Sequence, residues 1–460
     1  MLDQSRIEAI FERVKKHVAN EVEVLVSGGR FALTRFANNG IHQNVAEENV
    51  IVSIRTAIDG KTARATTNRL DDDSLRRAVD AAQQLTLMQH PDPDLQPMLG
   101  KLPPAVPDPP RRHFDATAAV TPEDRAAGVA QIVDVAKKNN LVTAGIFSTG
   151  ESFEAIVNSK GVSAYHAATS AEISITMLAG NSSGWQKANS PDVRNLDAAH
   201  LANVAAQKAR LSTDPQELAP GKYTVILEPA AVLDLVGFMF WDFGAQAVLD
   251  ERSFLNKRLG AKLFGDSITI HDDAYHPLQS GAQFDGEGVP RRRVPLVENG
   301  VVKNLVFSRR SSALAQHSEL KDQLPSTSPT GHGFPLPNEM GDAPMNIVFS
   351  GPPAGQAKTV DQMVASTERG VLVTRLWYIR EVEPYEKILT GMTRDGTFLV
   401  EDGKVKHGIL NFRFNQSLVE MLNNVLAMGT PVRASGEEAF DMVVPAMTVR
   451  DFNFTEVTKF

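Results

Sequence analysis

The chain has no cysteine among its 460 residues. That removes disulfides, thiolate catalysis and cysteine-ligated zinc together, and it fits a reducing compartment. An excess of positive charge is also missing: 47 Lys and Arg stand against 55 Asp and Glu, for a net charge of -8. Basic runs such as Arg291-Arg292-Arg293 are short islands, so nucleic acid and anionic membrane surfaces are poor partners. No apolar run is long enough for a membrane span. The first segment carries Ile7, Ile10, Phe11, Val14 and Val18 at helical spacing with charges between them, unlike the apolar stretch of a signal peptide. A cytoplasmic globular protein is expected, long enough for roughly two to four domains.

Familiar catalytic signatures are absent too. None of the 11 histidines forms His-Glu-x-x-His, and none is paired three or four positions apart on a helix. The nearest grouping is His271, Asp272, Asp273 and His276, two carboxylates and two imidazoles suited to a divalent ion. A strand running into a capped turn explains the same residues more simply. There is no Gly-x-Ser-x-Gly elbow, phosphate loop or dinucleotide fingerprint, and the scattered serines define no triad.

What is present is an alternation of helical and strand-like segments. Residues 21–27, 31–38 and 49–58 are rich in β-branched side chains and are punctuated by Asn39-Gly40 and Asp59-Gly60, pairs suited to tight hairpin turns. A helix follows with Leu75, Ala78, Val79, Ala82 and Leu85 on one face, and Asp72, Asp73 or Ser74 is available as its N-cap. Prolines recur through residues 90–110 and predict an extended linker. Thr121-Pro122-Glu123-Asp124 then opens a second helix. Strand-like stretches over 156–161 and 162–178, a break at Gly180 and a helix near 196–211 follow in the order of the first unit, which suggests an internal repeat.

Beyond residue 215 the chain is mostly strand-like, with hairpin signals at Glu298-Asn299-Gly300 and Glu401-Asp402-Gly403. Between them, a Pro-, Gly- and Ser-rich stretch over 325–344 predicts a long loop of the functional or mobile kind. The expected fold class is α+β: two small helix and antiparallel-hairpin units, 1–100 and 110–215, followed by a larger antiparallel β-sheet-rich domain over 218–460.

Four stretches in order carry a family resemblance. They are Thr34 to Gln43 (TRFANNGIHQ), Ile58-Asp59-Gly60 with Ala65-Thr66-Thr67-Asn68, Phe284 to Pro290 (FDGEGVP), and Thr390 to Gly403 (TGMTRDGTFLVEDG). Together they resemble the TldD/PmbA proteins over nearly the whole chain. The resemblance implies a metallopeptidase setting. A TldD-like subunit carries a His-Glu-x-x-x-His helix and a later cysteine that bind the catalytic metal; a TldE/PmbA-like subunit lacks them.

The corresponding helix here runs over residues 228–239 and contains no histidine. Its Val232, Leu235, Val236 and Met239, continued by Phe240 and Phe243, form an apolar face suited to core packing. Only Asp234 and Asp242 offer carboxylates near the missing ligands, and zinc wants three protein ligands with an open fourth position. No catalytic residue and no metal ligand is therefore assigned, and no cofactor is expected in this chain. A partner would carry zinc or a similar divalent metal.

Peptide binding remains as a role, by strand addition to the C-terminal sheet. The residues singled out are Arg375, Trp377, Tyr378 and Arg380 in one strand, with Arg394, Asp395, Asn411, Arg413 and Asn415 in the family-like stretch and just beyond it. A solvated strand face with ordinary salt bridges is the plainer reading of the same pattern. The expected partner is a TldD-like catalytic subunit in a heterodimer. The alternatives are a stand-alone homodimeric peptide-binding or scaffold protein, and a peptidase using unorthodox ligands such as Asp272, Asp273 and His276, or a serine.

Overall fold

A computed structural model of the chain describes residues 1–106 and 108–458. Position 107 of the proline-rich stretch thus lies outside the described residues. The first unit runs α1 (Gln4–Lys15), β1 (Glu21–Ala37), β2 (Gly40–Ile58), β3 (Lys61–Thr67) and α2 (Asp72–Met88). After a short α3 (Asp115–Ala118), the second runs α4 (Pro122–Lys138), β4 (Val142–Asn158), β5 (Ser163–Ala179), β6 (Ser182–Ser190) and α5 (Ala198–Leu211). The two units share one six-stranded sheet in the order β3-β2-β1-β4-β5-β6, because β1 pairs antiparallel with β4 from Glu23 to Phe36.

Several local features differ from the sequence expectation, among them the starts of β2 at residue 40 rather than 49 and of β4 at residue 142 rather than 156. The segments read as strands over 21–27 and 31–38 are one strand, and the intervening Gly28 and Gly29 do not break it. A Cβ on Gly28 would lie 2.4 Å from the Asn49 carbonyl oxygen and one on Gly29 2.1 Å from that of Glu151, so these glycines let three backbones pass closely. The first hairpin turn falls on Asn38-Asn39, both with positive φ, and Gly40 already begins β2. Helix α2 is capped by Asp71, whose side chain accepts from the Ser74 N–H, one residue before the three proposed caps. The Asp59-Gly60 turn and the helix start at Thr121-Pro122 form as expected, and Thr121 and Asp124 additionally close a capping box.

The helices cover one face of this sheet in two clusters. Ile7, Ile10, Phe11 and Val14 of α1 and Leu75, Val79 and Ala82 of α2 pack on Val22, Val24 and Ile54. Val129, Ile132 and Ala136 of α4 and Ala202 and Ala205 of α5 pack on Ile173 and Ile175. Small alanines let α5 approach β6 closely: a Cβ on Gly184 would meet the Ala205 carbonyl oxygen at 2.3 Å.

The remainder is built on two sheets around a shared core. One contains β7 (Gly221–Leu227), and α6 (Pro229–Val236) follows that strand directly. The other uses β8 (Ile270–Asp272), β9 (Val294–Glu298), β10 (Val301–Val302) and β11 (Ile347–Phe349). Next come β12 (Arg369–Glu383), β13 (Ile388–Glu401), β14 (Lys404–Gly408), β15 (Phe412–Ser417), β16 (Val425–Met428), β17 (Val432–Ala434), β18 (Met442–Val444) and β19 (Met447–Val457).

The smaller sheet has the order β10-β9-β8-β11-β18-β17, and the larger β12-β7-β19-β15-β13-β14, with β16 pairing to β19. A further β12–β13 pairing closes the larger sheet on itself. The architecture is α+β throughout. Among the described residues, no helix is long and apolar enough to cross a membrane.

The stretch over 325–344 is anchored at several points. Asp342 accepts from the backbone N–H groups of Gln246 and Ser308, and the Gly333 N–H donates to Asp285 at 2.8 Å. These bonds satisfy backbone donors that a buried loop would otherwise leave unpaired.

Candidate functional site

Helix α6 and the turn that continues it to Phe243 are almost wholly buried, as their apolar periodicity requires. Gly237, Phe238, Trp241 and Asp242, of which Trp241 is exposed, form one wall of a cleft of about 880 Å³. Glu381, Lys387, Glu437 and Glu438 line the opposite side, and Trp241 stacks on Phe334 with ring centres 5.8 Å apart.

The two carboxylates flagged in sequence both make structural contacts, although the buried Oδ2 of Asp234 has no hydrogen-bond partner among the described residues. Asp234 Oδ1 accepts from the N–H groups of Glu437 (3.1 Å) and Glu438 (3.0 Å), so it fixes the loop that carries those two glutamates. Burial pushes its carboxyl up to about 7 against the effect of these two bonds, and the neighbouring glutamate charges add to the rise. Asp242 Oδ2 lies 2.6 Å from the Lys387 ammonium, which is itself 2.7 Å from Glu381, while Asp242 Oδ1 accepts from the Phe254 N–H. Burial raises the Asp242 carboxyl, and Lys387 opposes that rise. A lysine on the turn between β12 and β13 thus supplies the buried cation of this cleft, a contribution that no sequence motif announced.

The unorthodox ligand group is likewise committed elsewhere. Asp272 is fully buried, accepts from the N–H groups of Met345 and Asn346 at 2.7 Å each, and lies 2.9 Å from His332 Nε2. Burial alone would raise its carboxyl, but His332 and the Asn346 N–H outweigh it and hold the group at about 2. Asp273 accepts from the Tyr275 N–H, and His276 Nδ1 from the Leu278 N–H.

The nine residues singled out for peptide binding divide into three groups. Trp377, Arg394, Asp395 and Asn411 line one cleft of about 300 Å³ where β6 of the first sheet meets β13. Arg375 backs it: its Nε donates to Asp395 at 2.8 Å, and its guanidinium lies over the Trp185 ring, 4.9 Å from the centre. Tyr378 and Arg380 face the glutamate loop instead, where the Tyr378 N–H donates to Glu438 and Arg380 lies 3.9 Å from it. Arg413 and Asn415 lie on β15, against β19, with Arg413 3.9 Å from Glu456 and the Asn415 carbonyl accepting from Asn453. Strand β12 has both edges paired over residues 370–373, by β7 and β13, and from Arg375 onward it pairs only with β13.

Comparison with known sequences gives this geometry its setting. A profile of the PmbA/TldA metallopeptidase C-terminal domain matches residues 220–456, and those of domain 1 and the central domain match 22–85 and 116–213. The chain belongs to the PmbA/TldD family. An uncharacterised protein of Methanocaldococcus jannaschii is 24% identical over 291 residues, 61% of this chain and 66% of its own length. A protein named Metalloprotease from Methanothermobacter thermautotrophicus is 22% identical over 301 residues, 62% of this chain and 61% of its own length. The chain therefore spans just under two thirds of either relative. TldE from Thermococcus kodakarensis has the same fold, with a TM-score of 0.84 over 98% of this chain and 100% of that one, at 19% identity.

Membership of a metallopeptidase family raises the question of whether α6 suits a metal. The donor set does not. It contains no imidazole, one carboxylate is held by two backbone N–H groups, and the other already neutralises an ammonium. Among the described residues, no group of three or more His, Asp or Glu side chains is placed to hold a metal ion.

Proposed function

We propose that this chain is the non-catalytic, TldE/PmbA-like subunit of a cytoplasmic metallopeptidase complex, and that it helps to enclose unfolded or small modified peptides beside a TldD-like partner. In this reading zinc or a similar divalent metal belongs to that partner. The observation that carries the proposal is the content of α6 and its continuation. Asp234 and Asp242 are the only carboxylates there, and both are bound into structural contacts. Of the nine residues singled out for peptide, we assign Trp377, Arg394, Asp395 and Asn411, because they share one cleft.

A peptidase assay on unfolded polypeptide tests the assignment in three arms: the chain alone, the chain with a TldD-like protein, and that pair with a chelator. Activity only with the partner, and its loss to the chelator, is the expected result. Chelator-sensitive hydrolysis by the chain alone would sink the proposal.

A further inference from the structure

We infer that the cleft between β6 and β13 is a carboxylate-binding site, and that it takes the C-terminal carboxylate of a peptide whose last side chain is apolar. The side-chain acceptors of Asp395 and Asn411 in this cleft are already used. Asp395 receives the Arg375 guanidinium on one oxygen and the Ser183 hydroxyl, at 2.5 Å, on the other. Asn411 Oδ1 accepts from the hydroxyls of both Thr393 (3.3 Å) and Thr397 (3.0 Å).

The donors are left over. Orienting Oδ1 toward two threonines fixes the Asn411 amide, and its Nδ2 has no hydrogen bond among the described residues. The Arg394 guanidinium makes no hydrogen bond there either; it lies 4.9 Å from the centre of the Trp377 ring, with its Nε 3.6 Å from Asp395. Ser212 is the most telling member of the set. It is only 8% exposed and lines the cleft, yet its Oγ has no hydrogen-bond partner among the described residues. A buried hydroxyl without a partner is costly, so a group that brings an acceptor within its reach gains by entering.

Charge points the same way. Among the described residues, Arg375 and Asp395 cancel, and Arg394 leaves the cleft with one net positive charge. Two spare donor groups and a hydroxyl around one positive charge match the two oxygens of a carboxylate. Trp377 and Met392, also in the lining, offer apolar surface for an adjoining side chain. The volume of about 300 Å³ suits a terminal residue rather than a long segment.

That the carboxylate ends a peptide rests on the peptide-handling role proposed above; the carboxylate site itself does not. Calorimetric titration of the full chain, with no partner present, keeps the two apart. The probes are N-acetyl-leucine, its amide and inorganic phosphate. N-acetyl-leucine is expected to bind at least tenfold more tightly than either of the others. Arg394→Gln, at an exposed position, and Asn411→Asp, which keeps the acceptor for both threonines, should each weaken it at least tenfold with unchanged thermal melting. Equal binding of acid and amide, equal or tighter binding of phosphate, or full affinity in Arg394→Gln would overturn the inference. Failure of the peptidase assay with carboxylate binding intact would instead count against the subunit role alone.

Discussion

The cleft beside α6 and the cleft beside β13 are built from similar side chains, and the difference lies in which groups remain unsatisfied. In the first, Lys387 is shared by Asp242 and Glu381, and Asp234 seats the loop of Glu437 and Glu438 through Oδ1. The spare buried atom there is the Asp234 carboxyl Oδ2, which has no hydrogen-bond partner among the described residues. In the second, the acidic group is neutralised from behind by Arg375, while Arg394, Asn411 and Ser212 keep donors in hand. Buried charges that satisfy one another hold a fold together; polar groups held in place without partners are prepared for a ligand. The family resemblance drew attention to the first cleft for what it lacks, whereas the second stands out for the donors it leaves unused.

The contrast breaks most sharply at Lys387. Its ammonium and the Asp242 carboxylate are each less than one tenth exposed, so Lys387→Met leaves buried carboxylates without their cation. Losing one partner of a buried pair costs roughly 3–5 kcal/mol. Urea unfolding at neutral pH should show a loss in that range, and a change below 1 kcal/mol would mean that the first cleft is not held together by this pair.

Asp234 gives the next largest effect, and it has a direction in pH. Its folded-state carboxyl is raised from 3.8 to about 7 by burial. Between those values the folded chain holds a proton that the unfolded chain has lost, so this group's contribution to stability is full below about pH 4. It falls as pH rises toward 7 and is level above that. The drop is on the order of 2–4 kcal/mol at most. Asp234→Asn keeps an oxygen for the two N–H donors and removes the titration. Urea midpoints taken from pH 4 to pH 8 should therefore fall further in the parent chain than in the variant, and parallel profiles would count against a buried, titrating Asp234.

A smaller effect is expected at Gly436, where a Cβ would lie 2.0 Å from Asp234 Oδ1 and 2.6 Å from the Leu233 side chain. Gly436→Ala should shift the glutamate loop and destabilise the chain by roughly 1–3 kcal/mol, as overpacking does. Thermal melting measures the loss. N-acetyl-leucine binding should be untouched, since the loop does not line the second cleft; a joint loss would show that the two clefts are coupled.

How much of this was legible in sequence follows from the range over which each feature is determined. The apolar faces of α1 and α2 and the Asp59-Gly60 turn depend on neighbours a few residues away, and their patterns were plain. Gly28 and Gly29 read as a break because the backbones that pass them belong to Asn49 and Glu151, which only the pairing of three strands brings close. The second cleft was half legible. Arg394, Asp395 and Asn411 stood in a family-like stretch or close after it, but Ser183 and Ser212 come from about 200 residues earlier. A serine's missing partner leaves no trace in sequence. Lys387 was passed over because a single lysine in a turn ordinarily faces solvent, and only the fold buries it.

Arg413 provides the smallest effect and the cleanest control. Sequence placed it beside Asn411 with equal standing, yet its side chain points to Glu456 across β15 and β19, 3.9 Å away, with both partners well exposed. An ion pair of that kind is worth little, because water screens it and two long side chains must be ordered to form it. Arg413→Gln should change stability by less than about 0.5 kcal/mol and leave N-acetyl-leucine affinity within twofold, against the tenfold loss expected for Arg394→Gln. Both variants remove one positive charge from the same sheet. If calorimetry shows them weakening the ligand equally, the second cleft acts only through net charge, and the placement of its spare donors has no part in recognition.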